Sequence, residues 1–327
     1  MQKRPIIQKR PIIQKKQHPI YTGNYYISTN AIEMLHDRIV KWIDNRIPGA
    51  IIHGKPRVGK TRAINYIADK LRDTYGEQLP IFSVNMTSHK PSNNFFYSQM
   101  LMDMGHSLHN KGKATDKRDR LISFLIERAK TSEMQMIVLI IDEANYMFEQ
   151  DFIWLMDIHN RLDKVNIRLT TLLVGTKELV ELKSAFIQAK KQQIIGRFMI
   201  HEYEFSGVQN AIDLQICLAS YDYGISYPTS SEWTFTKYFF PEAYANNKRF
   251  SSDSSIVWDA FCEVTIEHKI KNVFEVPMQY IALTVDNCLR NFGYDGMQIY
   301  FPTFNEWKIS IKESGFVEAE LYYQSMI

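Results

Sequence analysis

The stretch IIHGKPRVGKT, residues 51–61, reads as an apolar strand running into a glycine-bounded loop that ends in Lys-Thr. Residues 54–61, GKPRVGKT, match the pattern G-x-x-x-x-G-K-[ST] in full. Gly54 and Gly59 permit a tight turn whose backbone N–H groups surround phosphates. The cradle is expected to run over Gly54, Lys55, Pro56, Arg57, Val58, Gly59, Lys60, Thr61 and Arg62. Lys60 reaches the outer phosphates of a nucleoside triphosphate, and the Thr61 hydroxyl coordinates Mg²⁺. The following segment, TRAINYIADKLRDTYG, has helical periodicity and presents its positive end to the same anions, with Gly76 as its stop.

The rest of the chain fits a phosphate-binding α/β core. Strand-like LPIFSVNM, MQMIVLIIDEAN, IRLTTLLVGT and RFMIHEYEF alternate with helix-like NNFFYSQMLMDMGHSL, KRDRLISFLIERAK, 149–162 and about 177–190. Several of the strands are continuous apolar runs, which indicates a parallel sheet covered on both faces. A further helix is expected from STNAIEMLHDRIVKWI, with Ser28 or Thr29 as its cap. The expected organisation is a basic, disordered arm over 1–27, a core over 28–205 and a helical region over 206–327. In the arm, QKRPII occurs at 2–7 and again at 8–13, with prolines that forbid a continuous helix. It is either a solvated tail or a contact for phosphate backbone or an acidic partner.

Composition excludes several classes. A hydrophobic content of 45% rules out a wholly disordered chain, and a net charge of +3 leaves nucleic-acid binding to local clusters. Cys217, Cys262 and Cys288 lie far apart, which argues for a reducing cytosol and against disulfides or zinc. His106 and His109 can share a helix face, but no third ligand is evident. No run is long enough for a membrane helix and no signal peptide is present, so a cytoplasmic location without membrane contact is expected.

Three further motifs bear on the nucleotide. Asp142, at the carboxyl end of MIVLIID, is placed to hold Mg²⁺. Glu143 beside it either polarises a water against the γ-phosphate or caps the next helix. A metabolite kinase has no use for a water-activating acid, so adjacent acids favour hydrolysis. Thr176, ending TTLLVGT, is either a γ-phosphate sensor or a helix cap. Arg197, in QIIGRFMI, is either an arginine finger for a neighbouring subunit or a surface ion pair.

GKPRVGKT, IIDEAN, LVGTKEL and IIGRF, in this order, resemble an AAA+ ATPase, and within that superfamily the TnsC/TniB regulators of DNA transposition, including those of CRISPR-associated elements. The resemblance covers roughly 28–215. It implies an α/β P-loop NTPase with a parallel sheet flanked by helices and a helical C-terminal lid. It also implies ATP and Mg²⁺ as ligands and a homo-oligomer, ring or filament, on double-stranded DNA. Such an assembly links a target-site selector to a transposase, and ATP hydrolysis dismantles it. Members of this family do not cut or join DNA. A helicase loader or replication initiator of the same group would share every nucleotide residue, and a nucleotide-switched scaffold would never touch DNA.

The chain offers HNKGKATDKRDR, 109–120, as its own candidate DNA surface, through Lys111, Lys113, Lys117, Arg118 and Arg120. The other reading is a solvated helix start, since Asp116 and Asp119 partly cancel the charge. The stretch EVPMQYIALTVDNCLR lacks the early arginine with which many AAA+ lids touch nucleotide. The aromatic segment at 221–255 is either a docking surface or a packed satellite of the core.

Overall fold

The computed structural model describes residues 10–14, 17–271 and 275–325, which form two compact units. One comprises Met34–Pro56 and Lys60–Phe205. It is built on a five-stranded, wholly parallel sheet in the order β2-β3-β4-β1-β5. The strands are β1 Gly49–His53, β2 Ile81–Asn85, β3 Met136–Asp142, β4 Arg168–Gly175 and β5 His201–Glu204.

The three interior strands, β3, β4 and β1, are buried almost without interruption, whereas edge strands β2 and β5 expose alternate residues. That is why MIVLII and LLVG read as unbroken apolar runs. The two buried hydroxyls in β4 are satisfied: Thr170 Oγ1 donates to the Ile47 carbonyl at 3.1 Å, and Thr171 Oγ1 pairs with His159 Nε2 at 2.9 Å.

Helices Lys60–Tyr75, Asn93–Asp103, Ala114–Lys130, Glu149–Asp163 and Glu178–Gln188 connect the strands. The last four bury Phe96, Leu121, Leu125, Phe152, Leu155 and Leu179 in one apolar cluster with the sheet. Helix Asn30–Asp44 starts behind Thr29, whose Oγ1 accepts the Ile32 N–H, while Ser28 donates to Glu33 instead. Helix Lys60–Tyr75 stops at Gly76, with φ 97°.

The strand expected from RFMIHEYEF begins later than the sequence suggests. Ile195–Met199 is a π-helical turn, and β5 starts at His201. Phe198 and Met199 are both fully buried in the same cluster, which consecutive strand residues, pointing to opposite faces, cannot do.

The other unit comprises the described residues up to Glu33, Arg57–Gly59, and the chain from Ser206. Its helices include Ala211–Ala219, Ser254–Glu267, Met278–Phe292, Phe304–Lys312 and Phe316–Gln324, as the helical expectation required. The aromatic segment packs into its core: Tyr221, Phe235, Tyr238, Phe239, Phe240 and Phe250 are all buried there.

The described residues between Arg10 and Ile27 do not form a free arm. The Arg10 guanidinium lies 3.7 Å from the Tyr238 ring and 3.9 Å from that of Tyr294, and pairs with Asp295 at 3.2 Å. His18 is buried among the rings of Tyr227, Phe235, Tyr238 and Phe239. An apolar pocket outweighs the charge pattern that suggested a solvated tail. The first copy of QKRPII lies outside the described residues. Among them, no helix is long and apolar enough to cross a membrane.

Candidate functional site

Because all five strands are parallel, the loops after β1, β3 and β4 emerge at one edge of the sheet. β4 lies between β1 and β3, with His53 level with Gly175 and Ile141 with Leu173. The phosphate loop, the Asp142-Glu143 pair and Thr176 therefore leave three neighbouring strands side by side.

Thr61 Oγ1 donates to Asp142 Oδ2 at 2.7 Å, joining the loop helix to the end of β3. Two hard oxygens meeting from separate elements are the donor set from which Mg²⁺ takes one or two protein ligands. Lys60 Nζ donates to the carbonyls of Gly54 and Lys55, both at 2.9 Å, which holds the cation inside the loop. The residues present thus fit a Mg²⁺–triphosphate group.

Glu143 has a left-handed backbone, φ 52°, and its N–H donates to Asp142 Oδ1 at 2.9 Å. Its carboxylate makes no capping bond to the short helical turn Ala144–Tyr146 that follows. Non-glycine residues in this conformation carry a cost of about 1–2 kcal/mol and concentrate at functional sites.

Thr176 does not cap helix Glu178–Gln188, and its buried Oγ1 has no hydrogen-bond partner among the described residues. Its N–H donates to Asn145 Oδ1 at 3.4 Å. Asn145 thus joins the β3 loop to the end of β4, a role sequence reasoning missed although the residue stands in DEAN. The contact is close enough that a Cβ at Gly175 would lie 2.6 Å from Asn145 Oδ1.

Two residues of the loop tip have positive φ: Gly59, at 100°, and Arg57, at 65°. Residues Arg57–Gly59 belong to the unit that holds helix Met278–Phe292. There Arg57 Nη1 donates to Tyr280 Oη at 3.0 Å, and the Gln279 N–H to the Arg57 carbonyl at 3.3 Å. Tyr280 thus holds the loop tip from a helix that has no early arginine, and nothing in its sequence marked it out.

Arg197 forms no ion pair among the described residues. Its Nη1 donates to Asn160 Oδ1 at 2.7 Å and to the Met156 carbonyl at 3.4 Å, both neutral oxygens, so its charge stays uncancelled.

Of the basic cluster, Lys111 and Lys113 are exposed. Lys117 is only 4% exposed and donates to Ser98 Oγ at 2.9 Å, which removes it from the surface the sequence suggested. Arg118 pairs with Asp119, and Arg120 Nη1 closes the loop by donating to the carbonyls of Leu108 and Lys111.

Sheet order, phosphate loop and acid pair define the core as a P-loop NTPase fold of the AAA+ type, and the AAA domain family matches residues 48–182. The chain is similar in structure to the Aeropyrum pernix ORC2 protein in its ADPNP–ADP complexes, with TM-score 0.60, 11% identity, and 91% of this chain and 72% of that one covered. Drosophila ORC bound to DNA gives TM-score 0.51, 12% identity, and 96% and 69% coverage. The Walker-type ATPase paby2304 of Pyrococcus abyssi gives 0.50, 11%, and 90% and 73%. At these identities the likeness is one of fold, an ORC-like AAA+ fold with a helical C-terminal region. No curated protein matches the chain in sequence.

Proposed function

We propose that the chain binds and hydrolyses ATP with Mg²⁺, and that hydrolysis times a homo-oligomeric assembly on double-stranded DNA. The observation that carries this reading is the meeting of Thr61 Oγ1 and Asp142 Oδ2 at 2.7 Å, with the Glu143 carboxylate beside it free of structural duties. Thr61 and Asp142 would hold the metal, and Lys60 would sit against the outer phosphates. When bound, Mg²⁺ neutralises charge on the β- and γ-phosphates. Glu143 orients a water for attack, and Thr176, steadied by Asn145, offers its unpartnered hydroxyl to the γ-phosphate. Arg197 is proposed to serve the nucleotide of a neighbouring subunit, and Lys111 and Lys113 to contact DNA backbone. Within this class, the motif order supports a TnsC/TniB-type regulator that links a target selector to a transposase.

The fold likeness to ORC favours a second reading, a replication initiator or helicase loader. One experiment tests the shared part. ATP turnover is measured for Arg197→Ala, for Lys60→Ala and for their mixture, with and without duplex DNA. Arginine fingers contribute roughly 10³–10⁵-fold, so each variant alone should be nearly inactive and the mixture partly active. A mixture that stays inactive while both variants assemble fully overturns the trans role. Stimulation of strand transfer by a transposase, against delivery of a helicase to DNA, then separates the two readings.

A further inference from the structure

The opposite, amino-terminal edge of the sheet holds a cavity of about 300 Å³. Three arginines line it: Arg46 from the turn after helix Asn30–Asp44, Arg168 as the first residue of β4, and Arg197 from the π-helical turn. Against these three positive charges stands one acid, Asp163, so the lining carries net +2. His159 adds no charge, because burial and the nearby Arg197 pull its pKa down to about 3. The side chains of Arg46 and Arg168 have no hydrogen-bond or ion-pair partner among the described residues. Arg197 spends only Nη1.

Arg46 also occupies a position where glycine would serve without steric cost. Its φ is 57°, and the flanking bonds, Ile47 N–H to the Trp42 carbonyl and Arg46 N–H to the Ile43 carbonyl, form a helix stop that normally takes glycine. Guanidiniums clustered at a net charge of +2 match a phosphate group, whose oxygens accept their paired N–H donors. The subunit's own nucleotide cannot supply it. Arg168 and Gly175 are the two ends of β4, and at roughly 3.3 Å per residue they stand more than about 20 Å apart.

We propose that this cavity receives the terminal phosphates of the nucleotide held by a neighbouring copy of the chain, with Arg46 and Arg168 binding phosphate oxygens beside Arg197. This rests on the reading of Arg197 as acting in trans, and it makes the acceptor site a three-arginine pocket instead of a single finger.

The test compares Arg46→Gly, Arg168→Gln and Arg197→Ala in the full chain. Three quantities are read: the rise of ATP turnover per subunit with protein concentration, ATP affinity at high dilution, and duplex binding. Arg46→Gly and Arg168→Gln should each lower the concentration-dependent turnover by roughly tenfold to a hundredfold, the worth of a charge-assisted bond. Arg46→Gly should do so with a urea midpoint no lower than that of the parent chain, because glycine suits φ 57°. Full retention in both, with loss in Arg197→Ala, overturns the pocket and leaves the finger standing. Retention in all three overturns both. Loss of ATP affinity at high dilution would assign the cavity to the subunit's own nucleotide, and loss of duplex binding alone would assign it to DNA phosphates. Either result refutes the proposal.

Discussion

Gly175→Ala adds one methyl group at the point where the ends of β3 and β4 come closest. An ideal Cβ there would lie 2.6 Å from Asn145 Oδ1, 2.8 Å from Leu179 Cδ1 and 3.2 Å from Leu179 Cγ. Ordinary contact begins at 3.4 Å, so Asn145 must retreat by about 0.8 Å and Leu179 by about 0.6 Å. Leu179 is fully buried and has nowhere to go without strain, which puts the destabilisation at about 1–3 kcal/mol. The Asn145–Thr176 bond, already 3.4 Å long, cannot survive such a shift. Thr176 then loses its orientation, and ångström-scale misplacement at a reacting centre costs roughly 10²-fold in rate. Urea unfolding should show a lower midpoint at unchanged slope, and steady-state ATP turnover should fall. Asn145→Ala alone should slow turnover to a similar degree, and the double variant should be no slower than either single. If Gly175→Ala keeps both its midpoint and its turnover, the close approach does not exist and Asn145 does not hold Thr176.

Glu143→Gln should bind ATP and assemble but hydrolyse slowly; turnover at the parent rate would remove its role as water activator. Glu143→Gly should be equally inactive yet about 1 kcal/mol more stable in urea, because it relieves φ 52°. A lower midpoint would mean that the backbone there is unstrained. Burial, helped by Arg10, brings the pKa of His18 down to about 4, and burial with Arg197 brings that of His159 to about 3. Both folded values lie below the ordinary 6.5, so the unfolded chain binds these protons first. The stability contributed by the neutral rings is present above pH 6.5 and is lost as pH falls toward 4 for His18 and toward 3 for His159, at up to about 1.4 kcal/mol per pH unit for each histidine. His159→Gln should remove about one proton from that slope, and an unchanged slope would show that His159 does not titrate on unfolding. Charge reversal at Lys111 and Lys113 should weaken binding to any duplex by similar factors and lower the salt slope by about 0.9 for each phosphate no longer neutralised. Sequence-dependent effects, or none, would place the DNA surface elsewhere.

The parallel-sheet half of this protein is legible in its sequence because its determinants are local. Gly59, Lys60 and Thr61 sit on one turn, and MIVLIID and LTTLLVG are apolar throughout because an interior strand of a parallel sheet is covered on both faces. Periodicity also separated the helices that connect the strands. It failed at IGRFM, where helical burial of Phe198 and Met199 had to be distinguished from a strand by contacts far along the chain. Asn145 could be found only once β4 was seated beside β3, since its partner Thr176 lies 31 residues away. Tyr280 meets Arg57 across 223 residues, and Arg10 meets Asp295 across 285. Whether a lysine faces solvent or a serine, as Lys117 does, is settled by packing between helices Asn93–Asp103 and Ala114–Lys130. Spacing along a chain records which chemistry is available, whereas burial and long-range pairing decide which of those groups remain free to act.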